Sequence, residues 1–261
     1  MEKHKRYKLV VILLAALVII ESTALIYLGL RGLKPAVMKP PAFKGRIAIV
    51  IDDWGYSLNN LQIVSEIKQP LTAALLPNLT YSKTIAEKLH SLGIEVILHL
   101  PMEPLERYHL EKNTVMVSMD EAKINRIIEE DLANLLYAKG VSNHMGSLAT
   151  QDSRVMSIIF KELKLRHLYF LDSLVSTKSI CAALAKKVRI GFARRDIFLD
   201  NTEDPEYIRG QVYKLKMRAR VNGSAIGIGH DRSRTLEVLK EIMPQLQQEG
   251  YKFVFLSELV R

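Results

Sequence analysis

Residues 46–56 read RIAIVIDDWGY: an apolar, largely β-branched run (Ile47–Ile51), two adjacent carboxylates (Asp52, Asp53), an indole (Trp54) and a glycine. A short continuous apolar run of this kind predicts a strand buried on both faces, as in a parallel sheet covered by helices. The same pattern recurs at Leu71–Leu76, Glu95–Leu98, Val141–Asn143, Leu168–Leu171, Ala225–Ile228 and Phe253–Leu256. Amphipathic stretches fall between these runs. Thr80 opens one that stops at Gly93, and Asp120 caps EAKINRIIEEDLANLLYAK up to Gly140. Asp152 or Ser153 starts RVMSIIFKELK, Asp204-Pro205 opens a helix with proline at its first position, and Ser233 begins one that Pro244 is expected to kink or split. Strands alternating with helices predict an α/β protein, a (β/α) barrel or barrel-like fold of about seven strands.

Strand C-terminal ends converge on one face of such a fold, so distant residues can share one site there. Asp52-Asp53 follow IAIVI, His99 follows EVIL, Asn143-His144 follow GVS, and His230-Asp231 follow AIGIG. Carboxylates and neutral imidazoles together form the donor set of a divalent metal that activates water. Adjacent buried carboxylates are costly unless a cation or hydrogen bonds compensate them. Helix capping with loop solvation is the plainer reading of Asp52-Asp53, and a satisfied core histidine that of His99 or His144. Trp54 can wall the site. Glu103, four residues after His99, is a ligand, a partner behind the ligands or a surface charge. Asp172 in YFLDS adds a strand-end carboxylate. Arg194, Arg195, Asp196 and Asp200 lie together in GFARRDIFLDN, where Arg195 can hold a substrate oxyanion or a carboxylate and loop salt bridges are the alternative. No P-loop, GxGxxG, GxSxG or CxxC motif is present. The lone Cys181 excludes an intramolecular disulfide and reads as a small buried helix residue.

The formal net charge of +9 is concentrated at the beginning: residues 1–45 carry eight Lys/Arg against Glu2 and Glu21, leaving +3 for the remainder. That distribution speaks against a nucleic-acid partner. MEKHKRYK precedes LVVILLAALVIIESTALIYLGL (Leu9–Leu30), and 22 helical residues span about 33 Å, close to a bilayer's hydrocarbon thickness. Residues 1–30 are therefore expected to be a basic flank plus membrane anchor. The alternative is a signal segment cleaved at Ser22-Thr23-Ala24, which would leave a secreted protein. Either reading places the remainder on the extracytoplasmic side. Residues 31–45, with three prolines, read as a tether, and 46–261 as the catalytic domain.

Taken together, IVIDDWG, LHLPMEP, NHMGS, YFLDS and GIGHDRSRT resemble the divergent polysaccharide deacetylase family, a branch of the carbohydrate esterase superfamily. The resemblance implies an irregular (β/α) barrel and a metal-dependent hydrolase that removes N-acetyl groups from a cell-envelope glycan. It also implies a divalent cation, usually zinc, held by one aspartate and two histidines. Carried over, Asp52 is the base, Asp53 a metal ligand, His99 the second ligand and His230 the general acid. Ordinary members carry another histidine where this chain has Glu103, and His144 is expected to supply that imidazole. Trp54, Glu103, Asp172 and Arg195 remain candidates for touching substrate or for orienting the ligands. The alternative reading is a non-catalytic glycan-binding or envelope-organising protein that keeps the fold.

Overall fold

A computed structural model describes residues 2–32, 42–106 and 109–261. The chain divides into two compact units, Met1–Pro40 and Pro41–Arg261. The first contains helix α1 (Glu2–Gly32). Its segment Glu2–Leu28 is long and apolar enough to cross a membrane. Ser22 and Thr23 donate their hydroxyls to the carbonyls of Val18 and Ile19, four residues back, so neither adds an unpaired polar group beside the charged Glu21. Most of the expected tether, residues 33–41, lies outside the described residues.

The second unit runs β1 (Gly45–Trp54), α2 (Leu61–Glu66), β2 (Thr72–Leu75), α3 (Ser82–Ser91), β3 (Glu95–Met102) and α4 (Glu121–Asn134). It continues with β4 (Gly140–Met145), α5 (Ser153–Leu165), β5 (Tyr169–Asp172), α6 (Cys181–Val188), β6 (Phe192–Arg194) and β7 (Ile197–Phe198). Helix α7 (Pro205–Asn222), β8 (Ser224–His230), α8 (Ser233–Gln248) and β9 (Tyr251–Phe253) complete it. The strand order is β6-β5-β4-β3-β2-β1-β8-β7, and every ladder is parallel. Strand β1 is the keystone. Its Arg46–Asp52 pair with β8 on one side, while on the other Gly45–Ile47 pair with β9 and Val50–Trp54 with β2. The edge strands β6 and β7 are separated by only Arg195 and Asp196, and no ladder between them is present among the described residues. The sheet is thus a curled barrel with one open seam.

Strand alternation sorts the side chains into two layers. Ala48 and Val50, Ala74, Ile97, Leu171, Ile226 and Ile228 fill the interior, where small residues suit the tight curvature. Ile47, Ile49 and Ile51, with Val96, Leu98 and Phe170, face the helices in the larger cluster. At the N-terminal end of the barrel, the Glu95 carboxylate accepts from Tyr169 Oη (3.0 Å), Thr72 Oγ1 (2.9 Å) and the Ser257 amide (3.1 Å), closing that end with satisfied polar groups.

Six of the seven expected strands are present; the seventh, expected at Phe253–Leu256, lies earlier as β9 (Tyr251–Phe253), with Leu256 in a 3-10 turn, and β6 and β7 are additional. At three and two residues, they are too short for periodicity to register. Asp120, Asp152 and Asp204 cap α4, α5 and α7 through their carboxylates, as expected. Helix α4 stops at Asn134 rather than at Gly140. Gly140 instead opens β4, because the Tyr169 ring lies where a side chain would go: a Cβ there would sit 2.3 Å from Tyr169 Cε2. Pro244 does not split α8, since it is exposed and the hydrogen bond it forfeits faces water. The contact at Gly140 makes a direct prediction. Gly140→Ala should destabilise the domain by about 1–3 kcal/mol through overpacking, read as a lower urea midpoint, and an unchanged midpoint would show that the ring can move aside freely.

Candidate active site

Strict alternation would point Asp52 into the barrel and Asp53 away from it. A break in alternation prevents this. The β1–β2 register shifts between Ile51 and Trp54, and Asp53 adopts a left-handed backbone (φ 64°). This is a β-bulge, which re-aims one side chain; aspartate tolerates the left-handed region better than most residues. Both carboxylates therefore reach the interior, and Trp54 returns to the helix-facing layer. Gly55 follows at φ 135°, a conformation that side-chain-bearing residues rarely adopt. Around the mouth, the register places Asp52 opposite His230, His99 opposite Ser142 and Pro101 opposite His144. The strands themselves continue past the positions where the sequence suggested they end, so His99 and His144 sit within β3 and β4.

Asp53 Oδ1 lies 3.1 Å from His144 Nδ1 and 3.3 Å from His99 Nε2, and donor atoms of the three residues all fall within 4.8 Å of one another. His99 Nδ1 is 2.7 Å from Ser142 Oγ, a contact that fixes the ring with Nε2 towards Asp53. Burial alone pushes the Asp53 carboxyl up, yet hydrogen bonds from His144 and His99 outweigh it and hold it well below the usual carboxylate range. Burial pushes the His99 imidazole down from 6.5 to about 4, against the raising effect of Asp53, so it is neutral and able to ligate at neutral pH. One carboxylate and two imidazoles that share a point suit a borderline divalent cation such as zinc.

Asp52 is buried, with Oδ2 3.6 Å from His99 Nε2 and Oδ1 without a hydrogen-bond partner. Burial first, then repulsion from Asp53 and Asp200, raises its carboxyl well above the ordinary range, with Arg195 acting in the opposite sense. Such an orphaned oxygen is expensive in a structural residue and appropriate for a group that accepts a proton or faces a cation. Opposite it, His230 Nε2 is 3.7 Å from Asp53 Oδ2. Its Nδ1 is 3.0 Å from Asp200 Oδ1, while Asp200 Oδ2 accepts from the His230 amide (2.8 Å) and Thr235 Oγ1 (2.6 Å). Asp200 is fully buried and held below the ordinary range. Burial acts against this, but the hydrogen bonds from His230 prevail. The pair is oriented to support an imidazole that gives up a proton.

The structure thus brings Asp52, Asp53, His99, His144 and His230 together from β1, β3, β4 and β8. Of the other candidates, Arg195 lies near enough to act on Asp52, and the rest make their contacts outside this cluster. Trp54 is fully buried in the layer under the helices. The Glu103 carboxylate accepts from the Val117 amide (2.5 Å) and ties down the β3–α4 loop. Asp172 accepts from the Leu174 amide (2.8 Å) and Ser179 Oγ (2.7 Å). Arg195 donates to the carbonyls of Ser173 (2.6 Å) and Leu174 (2.8 Å), with its charge felt at Asp52. Cys181 is buried and its thiol is pushed up to about 12 by burial, so it is no nucleophile. Sequence reading left Asp200 among loop salt bridges and passed over Ser142. The usable signal for Asp200 was an acid directly after the apolar IFL, as at the other strand ends.

A curled parallel barrel with this cluster over its strand ends has the polysaccharide-deacetylase-like architecture. The sequence profile of the divergent polysaccharide deacetylases matches residues 49–260, and the chain belongs to that family. The uncharacterized protein YibQ of Escherichia coli K12 is 37% identical over 211 residues, which cover 80% of this chain and 66% of YibQ. The chain therefore spans just under two thirds of that relative. The uncharacterized protein ATU2773 of Agrobacterium tumefaciens C58 superposes with a TM-score of 0.80 at 21% identity, covering 84% of this chain and 90% of that one. A mutant of BA3943, described as a CE4 family pseudoenzyme with restored enzymatic activity, gives 0.51 at 16% identity, covering 85% and 72%. At these identities the two structures speak to fold alone.

The buried imidazole carries a pH signature. Between about 6.5 and about 4 the unfolded chain protonates this histidine and the folded chain does not, so its contribution to stability falls as pH falls. Asp52, with a raised carboxyl, works in the opposite sense, so the comparison must be with a variant. Across that window, metal-free wild type should lose on the order of 3 kcal/mol relative to His99→Gln, measured by urea unfolding. Parallel pH profiles for the two proteins would contradict a neutral, buried His99.

Proposed function

We propose that this chain is an exported, membrane-tethered, metal-dependent hydrolase that cleaves N-acetyl amide bonds of a cell-envelope polysaccharide. The observation that carries the reading is the Asp53–His99–His144 cluster beside a buried Asp52 that lacks a partner for Oδ1. A divalent cation held by Asp53, His99 and His144, zinc by its donor preference, would supply Lewis acidity that lowers the pKa of water and polarises an acyl carbonyl. Asp52 takes the proton of the attacking water, for which its raised affinity suits it. His230, braced by Asp200, delivers a proton to the departing nitrogen as the C–N bond breaks, giving acetate and a free amine. The family supports the glycan; the N-terminal helix and its basic flank support membrane attachment with the domain outside.

A non-catalytic glycan binder is the second reading. Glu103 stands where ordinary deacetylases place a histidine and is committed to the Val117 amide, and a neighbour of this fold is described as a pseudoenzyme. Two measurements decide between them. His99→Ala with His144→Ala should abolish stoichiometric zinc in the purified full-length protein, whereas Glu103→Ala should retain it; retention in the double variant would refute the ligand assignment. Wild type should release acetate from chitooligosaccharides or peptidoglycan fragments, and Asp52→Asn should be slower by about 10²–10⁴-fold. Tight glycan binding without acetate from any substrate would establish the binder.

A further inference from the structure

The end of the barrel opposite the catalytic mouth carries a contrasting chemistry. Around the mouth, the loops after the strands bear Glu103, Glu106, Glu111, Glu203, Asp204 and Asp231. At the far end, where helices return to strands, Lys139, Lys186, Lys187, Arg189 and Arg220 are exposed and have no carboxylate partner among the described residues. Two acids near them are already engaged: Glu162 with Arg166 (2.7 Å) and Glu249 with Lys216 (2.7 Å). Helix dipoles favour cations in last turns, which accounts for Lys186, Lys187 and Arg220. They do not account for Lys139, which lies beyond the end of α4. Nor do they account for the apolar side chains set among the cations: Phe43 (67% exposed), Leu136 (75%), Leu165 (68%) and Val221 (80%).

The open seam reaches the same end. Between β6 and the beginning of β8 lies a cavity of about 930 Å³ lined by Lys186, Arg189, Arg194 and Asp196. Asp196 Oδ2 accepts from the Ile226 amide at 2.9 Å, and Lys186, Arg189 and Arg194 outnumber this carboxylate in the lining, so the cavity is cationic on balance. Adjoining clefts have apolar floors of Leu168, Ile190 and Val260, or of Leu165 and Val188, beneath Lys164 and His167. Arg189 ends α6 in the left-handed conformation (φ 59°), where glycine would be unstrained. The chain thus places a guanidinium at the cavity rim against its backbone preference. Cations interleaved with exposed apolar groups match a membrane interface, where headgroup phosphates meet acyl chains.

We propose that this face docks on the headgroup layer of an anionic phospholipid bilayer, with the seam cavity receiving a lipid phosphodiester. The chain enters β1 at this same end, and docking there turns the acidic mouth outward. The inference rests on the membrane reading of the N-terminal helix and not on catalysis, so the two can fail separately. The full chain, reconstituted in vesicles of phosphatidylcholine with or without phosphatidylglycerol, would be labelled with an amine reagent and analysed by mass spectrometry. Lys186 and Lys187 should label more slowly by about fivefold or more in the anionic vesicles, with high salt restoring the rate and Lys112 and Lys178 on the catalytic side unaffected. Substituting Lys186→Gln and Arg189→Gly, the latter relieving backbone strain, should remove the protection of Lys187. Equal labelling in both vesicles would overturn the proposal. So would equal protection in neutral vesicles by glycerol phosphate or by an acidic polysaccharide, since either result would assign the cavity to a soluble anion.

Discussion

The site depends on one local distortion, the bulge at Asp53. A regular β1 would place Asp52 inside the barrel and Asp53 under the helices, where an unpaired carboxylate has no stable environment. A left-handed residue at that position lets two consecutive acids share the interior and restores Trp54 to the outer layer. Gly55 and the β1–β8 register then align the carboxylates with His230, and the β3–β4 register aligns His99 with its Ser142 support.

Bringing five ionisable groups this close is electrostatically unfavourable, and the structure divides the strain unequally. Asp53 is stabilised as an anion by two imidazoles, while Asp52 is left buried, repelled and without a partner for one oxygen. Two neighbouring carboxylates thus acquire different proton affinities, which allows one to hold a cation and the other to move a proton. A further carboxylate, Asp200, orients His230 from behind. The arrangement costs folding energy and is understandable as preorganisation for chemistry on a cation.

The barrel also separates charge along its axis. Acidic loops surround the mouth, and cations crowd the end where helices return to strands. The incomplete closure between β6 and β7 opens a cavity among those cations.

Most strands, three helix caps and the acids and imidazoles that the fold gathers at the mouth were legible in the sequence, because apolar runs of four or more residues and the polar groups after them are local signals. Six strands and the caps at Asp120, Asp152 and Asp204 follow from such patterns. Strands of two or three residues carry no periodicity, so β6, β7 and the seam they leave open emerge only in three dimensions. The same holds for Gly140, which reads as a helix stop but is required by the Tyr169 ring, and for Glu103, whose carboxylate is claimed by a backbone amide fourteen residues on. Asp200 and Ser142 gain meaning only through partners on other strands. Sequence determines which groups are present and roughly where strands end; the direction in which a side chain points, and what it meets there, depends on long-range packing that no local pattern encodes.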